Sequence, residues 1–409
     1  MKPLYCLGLD VAKHKIRVAL SEPKGRLLWE KDLPVSAAGL SDLLQQLRLS
    51  EIAPAHLLVL IEATGLLHLN WAAALSKAGY RVAVINPLIA RRLYFRLDNV
   101  LRESKTDPID ARGLCRIARE RGEALLALYR FSLRSAQMTL QRLQSARQAV
   151  RRSLTNLKKT YRSLLELSFP ELSQLLEIDG VAIRELLVEA PTPATLGRKR
   201  LTTLKKDWRL RSKAKALHTL ARNSLADPDL SQACAPALQQ LLLALSETEA
   251  RLCTIDQAIN QLAAASLDPT QRQLLESIPG FGQTLATQVL SWLPYQILAS
   301  GSRRQAAARL QAFMGNDPRL QQSGQWTGQT KMSKRGAVLL RTAFFQAAFS
   351  ASQHDPEMRA FYQRKRAQGK VHQVALSHLM RLLTRRLIAV LRSGLPYQAN
   401  LQPILTHVA

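Results

Sequence analysis

Acidic residues are scarce in this sequence. Aspartate and glutamate total 30 against 58 lysines and arginines, which gives the 409 residues a formal net charge of +28 and a pI of about 10.7. The apolar fraction, 47%, is ordinary for a folded chain. A charge excess of this size on a normally apolar chain favours a polyanionic partner, and we expect nucleic acid.

The patterns of membrane, secreted and zinc-binding proteins are also missing. No run of about 18 apolar residues is present and the N-terminus shows no cleavable signal, so we expect an intracellular protein that does not contact a membrane. The four cysteines, Cys6, Cys115, Cys234 and Cys253, form no CxxC pair. They predict neither a zinc cage nor a disulfide framework.

The chain is organised around the stretch 5–20, YCLGLDVAKHKIRVAL. Its first residues are apolar or small, Asp10 follows, and residues 15–20 alternate as a returning strand does. A carboxylate on a buried central strand costs several kcal/mol unless something such as a metal ion compensates it. The alternative interpretation is that Asp10 only caps the turn at residues 11–13.

Three further acids follow a related pattern. Glu62 ends a second apolar strand, HLLVLI, and Asp107 and Asp110 open a helix three residues apart, which places them on one face. Either acid of this last pair could instead be merely a helix N-cap, and Asp107 is well placed for that. Four such carboxylates can surround two hard divalent cations, as two-metal phosphodiester chemistry requires.

The predicted fold class is α/β plus α. The first 125 residues read as strand-strand-strand-helix-strand-helix-strand, the order expected of a ribonuclease-H-like sheet. We predict this N-terminal RNase H-like domain over 1–125, a basic helical coiled-coil region over 126–270 with an inserted helical module at about 166–235, and a C-terminal helical domain over 271–409. The module is strongly basic, and its role is open.

A long basic helix is predicted from about residue 130 to 165, where no glycine or proline occurs. No Asp or Glu lies between Glu123 and Glu166, which weakens the alternative of an ordinary solvated face. We expect this helix to follow a phosphate backbone. The candidate contacts on it are Arg142, Arg147, Arg151, Arg152, Lys158 and Lys159.

Two glycine-containing stretches mark the C-terminal third. The turn Pro279-Gly280-Phe281-Gly282 resembles a helix-hairpin-helix, in which Gly280 and Gly282 let backbone N–H groups approach a phosphate; a plain helix-helix turn is the alternative. Ser323 and Gly324 lie in a polar loop that could present a hydroxyl to a phosphate. The basic residues of this loop and of the helix after it are Lys331, Lys334, Arg335 and Arg341.

These motifs together resemble the DEDD transposases of bacterial insertion sequences, whose recombinases are guided by a bridge RNA. The N-terminal matches are GLDVAK at 8–13, IEATG at 61–65, VINP at 84–87 and KTDPIDA at 105–111. The C-terminal matches are LLESIPGFG at 274–282, AFMGNDPRLQQSG at 312–324 and MSKRG at 332–336. Their order and spacing agree with the family at both ends of the chain.

The resemblance implies specific roles. Asp10, Glu62, Asp107 and Asp110 would form a RuvC-like metal tetrad that holds two Mg²⁺ ions, and Ser323 would be the nucleophile of a C-terminal transposase domain. It further implies donor and target DNA, a structured guide RNA, assembly into a dimer or tetramer, and a bacterial cytoplasmic location at the nucleoid.

Departures from the family leave alternatives open. The loop reads NDPRLQQSG where Gly-Leu-x-Pro is commoner, so Ser333 and Thr330 are the next candidate nucleophiles. A RuvC-like junction endonuclease that uses metal-activated water needs only the tetrad. An actin-like kinase or ATPase would need a second phosphate loop that the sequence lacks. A non-catalytic nucleic-acid-binding protein would use the four acids merely as caps and surface groups.

Overall fold

The structure is a computed structural model, and it describes residues 4–97, 107–132, 134–299, 301–319, 322–323, 326–327 and 331–399. The described residues form two compact units. The first unit spans Met1–Ser135, Gln273–Phe281 and Leu293–Ala409, and the second spans Ala136–Arg272 and Gly282–Trp292. The first unit therefore joins segments from both ends of the sequence.

The first unit is mixed in secondary structure. Its strands are β1 (Tyr5–Val11), β2 (Lys15–Ser21), β3 (Leu27–Pro34), β4 (Leu57–Glu62), β5 (Arg81–Ile85), β6 (Pro318–Arg319), β7 (Gln322–Ser323), β8 (Trp326–Thr327) and β9 (Lys331–Met332). Its helices are α1 (Ala37–Leu49), α2 (His68–Lys77), α3 (Pro87–Leu97), α4 (Asp107–Tyr129), α14 (Tyr295–Ala299), α15 (Arg303–Met314), α16 (Val338–His354), α17 (Pro356–Ala367) and α18 (His372–Ser393).

The second unit is helical where it is described. Its helices are α5 (Ser135–Ser168), α6 (Leu172–Leu175), α7 (Val181–Glu189), α8 (Pro193–Gly197), α9 (Leu201–Leu204), α10 (Ala214–Arg222), α11 (Pro228–Ser266) and α13 (Gln283–Trp292). Helix α12 (Pro269–Glu276) begins in this unit and ends in the first. None of the helices in the described part of the chain combines the length and apolar character that a membrane span requires.

Five strands of the first unit form one mixed sheet in the order β3-β2-β1-β4-β5. Strands β1, β2 and β3 are antiparallel neighbours, whereas β1, β4 and β5 run parallel. The register pairs Leu9 with Ile61 and Leu60 with Ala83. The predicted sequence of strands and helices in this region is confirmed, and β1 lies at the centre of the sheet.

Both faces of the sheet are covered, because side chains alternate between them along each strand. Leu7 and Leu9 of β1 pack in a core with helices α1 and α2, whereas Cys6 packs on the other face in a core with α4. Leu7, Leu9 and Cys6 are all fully buried. Burial on this scale stabilises the sheet by about 1.5–3 kcal/mol for each large apolar side chain.

Gly8 lets helix α4 lie directly against β1. A Cβ atom at this position would lie 2.2 Å from the carbonyl oxygen of Ala111 and 2.9 Å from Cβ of Leu114. Real Cβ atoms do not approach other atoms so closely, so the first turns of α4 and the middle of β1 are in contact because residue 8 has no side chain. This contact fixes the start of α4 over the sheet.

The C-terminal part of the first unit is built on α16 and α18. Leu340 and Phe344 of α16 and Leu383 and Leu387 of α18 are fully buried. Phe281 meets Phe344 edge to face, with ring centroids 5.4 Å apart. Short strand pairs lie in the stretch predicted as a polar loop.

The last turn of α17 contains three cations, Arg364, Lys365 and Arg366. Asp355 caps that helix by accepting a hydrogen bond from the backbone N–H of Met358 at 2.8 Å, and a proline occupies its first turn. Buried Met358 then packs it into the unit. Three cations in the last turn suit the negative end of a helix dipole.

Two long helices, α5 and α11, form the body of the second unit. Leu140 near the start of α5 packs with Ile259 near the end of α11, and Tyr161 near the end of α5 packs with Leu242, so the helices run antiparallel. Helix α11 begins at Pro228, because Asp227 caps the backbone N–H groups of Asp229 and Leu230.

The predicted basic module folds as short helices, α6 to α10, around one apolar core. Leu187, Leu196, Leu204 and Leu217 are buried in this core, which includes side chains of both long helices. The hydroxyl of Tyr161 donates to the carbonyl of Ile178 at 2.8 Å. The module is thus a packed extension of the second unit.

Candidate active site and nucleic-acid interface

Asp10 and Glu62 lie side by side at the carboxyl ends of two neighbouring parallel strands. The register of β1 and β4 reaches Leu9 opposite Ile61, so the next positions along both strands are Asp10 and Glu62. Adjacent strands lie about 4.8 Å apart, which brings the two carboxylates within reach of one ion. Both residues are half-buried and both have polar interactions in the structure.

The two carboxylates share the face of the sheet that α4 covers. Asp10 follows Cys6 and Gly8 at two-residue intervals, and Glu62 follows Leu58 and Leu60 in the same way. Cys6, Leu58 and Leu60 belong to the core shared with α4. The fold therefore directs Asp10 and Glu62 towards the helix whose first turn contains the other two predicted acids.

Asp107 and Asp110 belong to the first turn of α4. Ala111, the next residue, is the one whose carbonyl oxygen faces Gly8, two positions before Asp10. The backbone thus brings all four positions to one end of one sheet face. The side chains of Asp107 and Asp110 lie outside the described part of the structure.

This arrangement fits a hard divalent cation in its donor chemistry, since aspartate and glutamate oxygens are the ligands that Mg²⁺ takes. Among the side chains that the structure describes, no group of three or more aspartate, glutamate, histidine or cysteine residues is placed to hold a metal ion. The side chains of Asp107 and Asp110 are not among those described. Asp10 and Glu62 are the described members of the predicted tetrad.

An ion-pair network that the sequence interpretation missed holds α4 to the sheet. Arg112 donates from Nε to Oε2 of Glu30 on β3 at 2.7 Å, and Arg17 on β2 lies 3.1 Å from the other oxygen of Glu30. The hydrogen bond from Arg112 lowers the pKa of the Glu30 carboxyl, and Arg17 adds to that effect. Only tertiary structure reveals this pairing, because 82 positions separate Arg112 from Glu30.

Ser323 lies on a hairpin of short strands. Pro318 pairs with Met332 in β6 and β9, and Ser323 pairs with Trp326 in β7 and β8. Ser323 therefore belongs to the inner of the two antiparallel strand pairs. Its side chain and that of Lys331 are outside the described set, as is the whole of Thr330.

The base of this hairpin is tightly built from the two motifs that flank it. A Cβ on Gly315 would lie 2.6 Å from backbone atoms of Arg335, and one on Gly336 would lie 2.0 Å from the carbonyl oxygen of Phe313. Both glycines have positive φ, 70° and 132°. Lys334, exposed between them, also has a positive φ of 52°.

Asn316 and Asp317, where the sequence departs from the commoner family pattern, are anchors of this base. The Asn316 side chain is buried and accepts a hydrogen bond from the hydroxyl of Ser377 on α18 at 2.7 Å. The hydroxyl of Ser333 donates to the Asp317 carboxylate, and the Ser333 backbone N–H donates to the Asp317 carbonyl at 2.9 Å. The Ser333 hydroxyl therefore has a structural partner.

The basic residues predicted around the hairpin divide into two groups. The Arg341 guanidinium donates to the carbonyls of Met314 at 2.8 Å and Lys334 at 3.2 Å, and burial lowers its pKa. These contacts assign Arg341 a part in holding the base together. Lys334 and Arg335 are exposed and open to a ligand.

The candidate cations on α5 also fall into two groups, those that pair with acids of α11 and those that are exposed. Arg147 makes a bidentate ion pair with Asp256, and Lys158 lies 3.3 Å from Glu249, so α11 supplies acids that the sequence around α5 lacks. The remaining candidates are exposed and, within the described residues, make no ion pair: Arg142, Arg151, Arg152 and Lys159. These four are the available phosphate contacts on α5.

The two glycines of the Pro-Gly-x-Gly turn have different surroundings. A Cβ on Gly280 would lie 2.2 Å from the carbonyl oxygen of Ala347 on α16, and its φ is 94°. Packing against α16 accounts for that glycine. Gly282 is exposed at the start of α13, with no atom within 4 Å of an added Cβ. Its backbone is open to a phosphate.

Comparison with known families covers both regions just described. A family model described as "Transposase", of the IS110 elements, matches residues 7–170. A second model, described as "Transposase IS116/IS110/IS902 family", matches residues 272–363. The first match contains Asp10, Glu62 and the start of α4, and the second contains the Pro-Gly-x-Gly turn and the hairpin. Residues 171–271 lie between the two matches.

Individual relatives span nearly the whole chain. An insertion element IS110 protein of 43.6 kDa from Streptomyces coelicolor is 28% identical over 410 residues, which is 97% of this chain and 96% of that protein. The mini-circle protein of IS117 from the same organism is 29% identical over 396 residues, 92% of this chain and 91% of its own. An insertion element IS116 protein of Streptomyces clavuligerus is 28% identical over 51% of each chain.

Proposed function

We propose how this chain, which belongs to the IS110 family of insertion-sequence transposases, cuts and rejoins DNA. The hydroxyl of Ser323 attacks a phosphodiester while carboxylates of the RNase H-like sheet bind the divalent metal that assists the reaction. The observation that carries the metal-binding part is the register of β1 and β4. It sets Asp10 beside Glu62 at the carboxyl ends of these two central strands, on the face covered by α4.

The strand order supports a ribonuclease-H-like, RuvC-like catalytic domain. Three antiparallel strands followed by two parallel ones, in the order β3-β2-β1-β4-β5, agree with the order expected of that fold. Asp10 on β1, Glu62 on β4, and Asp107 and Asp110 on α4 would hold the metal. A bound Mg²⁺ pair would polarise the scissile phosphate and stabilise the leaving oxygen.

The serine step conserves bond energy for rejoining. The Ser323 Oγ forms a bond to phosphorus, its proton passes to a base or to solvent, and the bond from phosphorus to the leaving sugar oxygen breaks. The resulting phosphoserine ester keeps the strand activated, so that a second strand's hydroxyl can displace the serine. The anchored base of the hairpin supports the presentation of Ser323 at a fixed position.

A structured guide RNA and an oligomer complete the proposal. The net charge of +28 and the exposed cations Arg142, Arg151 and Lys159 on α5 support extensive backbone contacts to nucleic acid. In such an assembly base pairing with the RNA would read the donor and target DNA, while the protein reads shape and charge. Assembly into a dimer or tetramer would bring two strands into one synapse.

The test is denaturing electrophoresis of full-length protein incubated with Mg²⁺, labelled element-end DNA and RNA from the element flank. We expect a covalent protein-DNA adduct with the wild type, none with Ser323→Ala, and neither adduct nor cleavage with Asp10→Ala. Ser333→Ala is the matched control, since its hydroxyl is engaged with Asp317, and it should retain the adduct. Cleavage by Ser323→Ala without an adduct would instead identify a metal-dependent nuclease.

A further inference from the structure

The indole ring of Trp208 is 79% exposed, more than any other large hydrophobic side chain in the described residues. Aromatic side chains normally bury about 150–250 Å² and dominate cores and interfaces. Within the described part of the chain, the ring stacks on no aromatic side chain and on no guanidinium. Both of its faces are therefore available to a ligand.

The local structure holds this ring away from the core. Residues 204–210, which we name the Trp208 turn, begin and end with buried leucines, Leu204 at 3% exposure and Leu210 at 5%. Between them the Asp207 carboxylate accepts a hydrogen bond from the backbone N–H of Arg209 at 2.9 Å. The backbone carbonyl of Asp207 accepts another from the backbone N–H of Leu210 at 3.1 Å. The turn is anchored at both ends and internally bonded, so the exposure of Trp208 is built into the fold.

The charged residues near Trp208 in the sequence are almost all basic. Residues 198–222 contain ten lysines and arginines and one acid, Asp207. The Arg209 guanidinium donates a hydrogen bond to the Asp207 carboxylate at 2.8 Å and another to the Glu185 carboxylate at 2.6 Å. Lys205 and Lys206 are exposed and, among the described residues, make no ion pair. Two uncompensated ammonium groups thus precede the ring by two and three positions.

We propose that the Trp208 turn binds unpaired nucleotides of a single-stranded nucleic acid segment. The indole stacks on a base, and Lys205 and Lys206 contact the adjoining phosphates. The base must be unpaired and exposed, because bases inside a duplex are already stacked on both faces. A protein partner fits less well, since the centres of protein interfaces are depleted in lysine.

This site does not depend on the strand-exchange chemistry proposed above. The turn lies at 204–210, inside the stretch between the two family matches, 7–170 and 272–363. It is a feature of the module that this chain carries between α5 and α11, and it requires binding only. A failure of Ser323 as nucleophile would leave it untouched.

The experiment measures equilibrium binding by fluorescence anisotropy with the full-length protein. The probes are labelled single strands of about 10 nucleotides, in the range that such sites occupy, made as RNA and as DNA of the same sequence. Excess unlabelled duplex DNA saturates the other basic surfaces. The variants are Trp208→Ala, Trp208→Phe, and Lys205→Gln with Lys206→Gln; Leu225→Ala, a side chain 76% exposed in the same unit, is the matched control.

We expect Trp208→Ala to weaken single-strand binding about tenfold to hundredfold, as the loss of a stacked base does. Trp208→Phe should retain most of the affinity, and Leu225→Ala should retain all of it. The double lysine variant should lower the slope of log affinity against log salt by roughly one to two. Tighter binding of the RNA or of the DNA strand identifies which nucleic acid supplies the bases.

Three results would overturn the proposal. One is single-strand affinity in Trp208→Ala within about twofold of wild type, against the roughly tenfold loss expected for stacking. A second is an equal loss of duplex affinity, which would mean that no base is stacked. A third is a change in assembly mass by analytical ultracentrifugation with unchanged single-strand affinity, which would make Trp208 a protein contact.

Discussion

Arg112 and Glu30 join the helix that carries two predicted metal ligands to the edge strand of the sheet. Arg112 is two positions after Asp110 on α4, and its Nε lies 2.7 Å from Oε2 of Glu30 on β3. A bidentate ion pair of this kind fixes the relative orientation of the two side chains as well as the distance between them. With Gly8 it determines where the first turn of α4 lies relative to β1.

We expect this pair to make stability depend on pH in a defined window. The hydrogen bond from Arg112 lowers the pKa of Glu30 in the folded state. Glu30 therefore contributes its full stabilisation above its unfolded pKa of about 4.3, and this contribution is lost as the pH falls through the folded-state pKa. Glu30→Gln should therefore lower the melting temperature modestly near neutral pH. That difference should shrink as the pH falls below about 4.3 and vanish once the pH is below the lowered pKa of Glu30 in the folded state.

The control for this titration is Glu22→Gln, which removes a carboxylate paired only locally, with Arg26 at 3.2 Å. It should shift the melting curve less than Glu30→Gln near neutral pH, where the Glu30 ion pair contributes fully. A melting temperature for Glu30→Gln equal to that of wild type at neutral pH would show that the pair does not hold α4 in place.

Arg112→Gln should lower the rate of Mg²⁺-dependent DNA cleavage. Displacing catalytic groups by about 1 Å can cost on the order of a hundredfold in rate, and we expect a loss of up to that size. Arg116→Gln is the matched control on the same helix, since Arg116 pairs with Glu120 of α4 at 3.5 Å. Single-turnover cleavage assays distinguish the two; equal rates would contradict the positioning role.

Gly8→Ala should destabilise the protein by about 1–3 kcal/mol, as overpacking of a core does. The added methyl would lie 2.2 Å from the Ala111 carbonyl oxygen, which is backbone and can move only with α4. Chemical denaturation measures the change. We also expect weaker Mg²⁺ binding by calorimetry, because α4 must shift away from Asp10. Unchanged stability would mean that the contact between α4 and β1 is looser than described.

We expect Gly280→Ala and Gly282→Ala to have different effects on stability, although the two glycines are only two positions apart. Alanine at 280 meets the Ala347 carbonyl at 2.2 Å and needs a φ of 94°, so we expect a loss of at least about 1 kcal/mol of stability. Alanine at 282 meets no atom within 4 Å and should leave melting unchanged.

The same pair separates a phosphate contact from packing. If the backbone at Gly282 approaches a phosphate, Gly282→Ala should weaken DNA binding severalfold in a filter-binding assay while the fold is intact. Unchanged DNA affinity in Gly282→Ala would leave the turn with a packing role alone, through Gly280.

Arg151→Gln with Arg152→Gln should reduce the salt dependence of DNA binding without affecting stability. Each lost phosphate contact lowers the slope of log affinity against log salt by about 1. Arg147→Gln is the control: its ion pair with Asp256 is partly buried, so we expect lower stability and a smaller change in slope. A slope for the double variant equal to wild type would place the DNA elsewhere.

Much of the first unit follows from local sequence. The order of strands and helices up to residue 85 was predictable because each strand has an apolar run and each helix has its own boundary signal, such as Gly79 after α2. Asp10 and Glu62 stood out because each ends such a run. Helix α17 was missed by the sequence interpretation, although Asp355 and Pro356 form a standard N-terminal signal before it.

The partners of charged residues were not predictable from local sequence. The absence of acids between Glu123 and Glu166 suggested that the α5 cations are free, yet Asp256 and Glu249 reach Arg147 and Lys158 from α11. Asn316 and Asp317 looked like departures from a motif, and the structure makes them anchors for Ser377 and Ser333.

The sequence alone determined the charge of the molecule, its strand and helix periodicities, and the positions of the acids at strand ends, because these depend on neighbouring residues. Tertiary structure decided that Asp10 and Glu62 share a face with α4, that Arg112 meets Glu30, and that Trp208 remains exposed. The physical reason is that register and helix docking depend on close contacts between distant segments, such as Gly8 against Ala111, which no local pattern encodes.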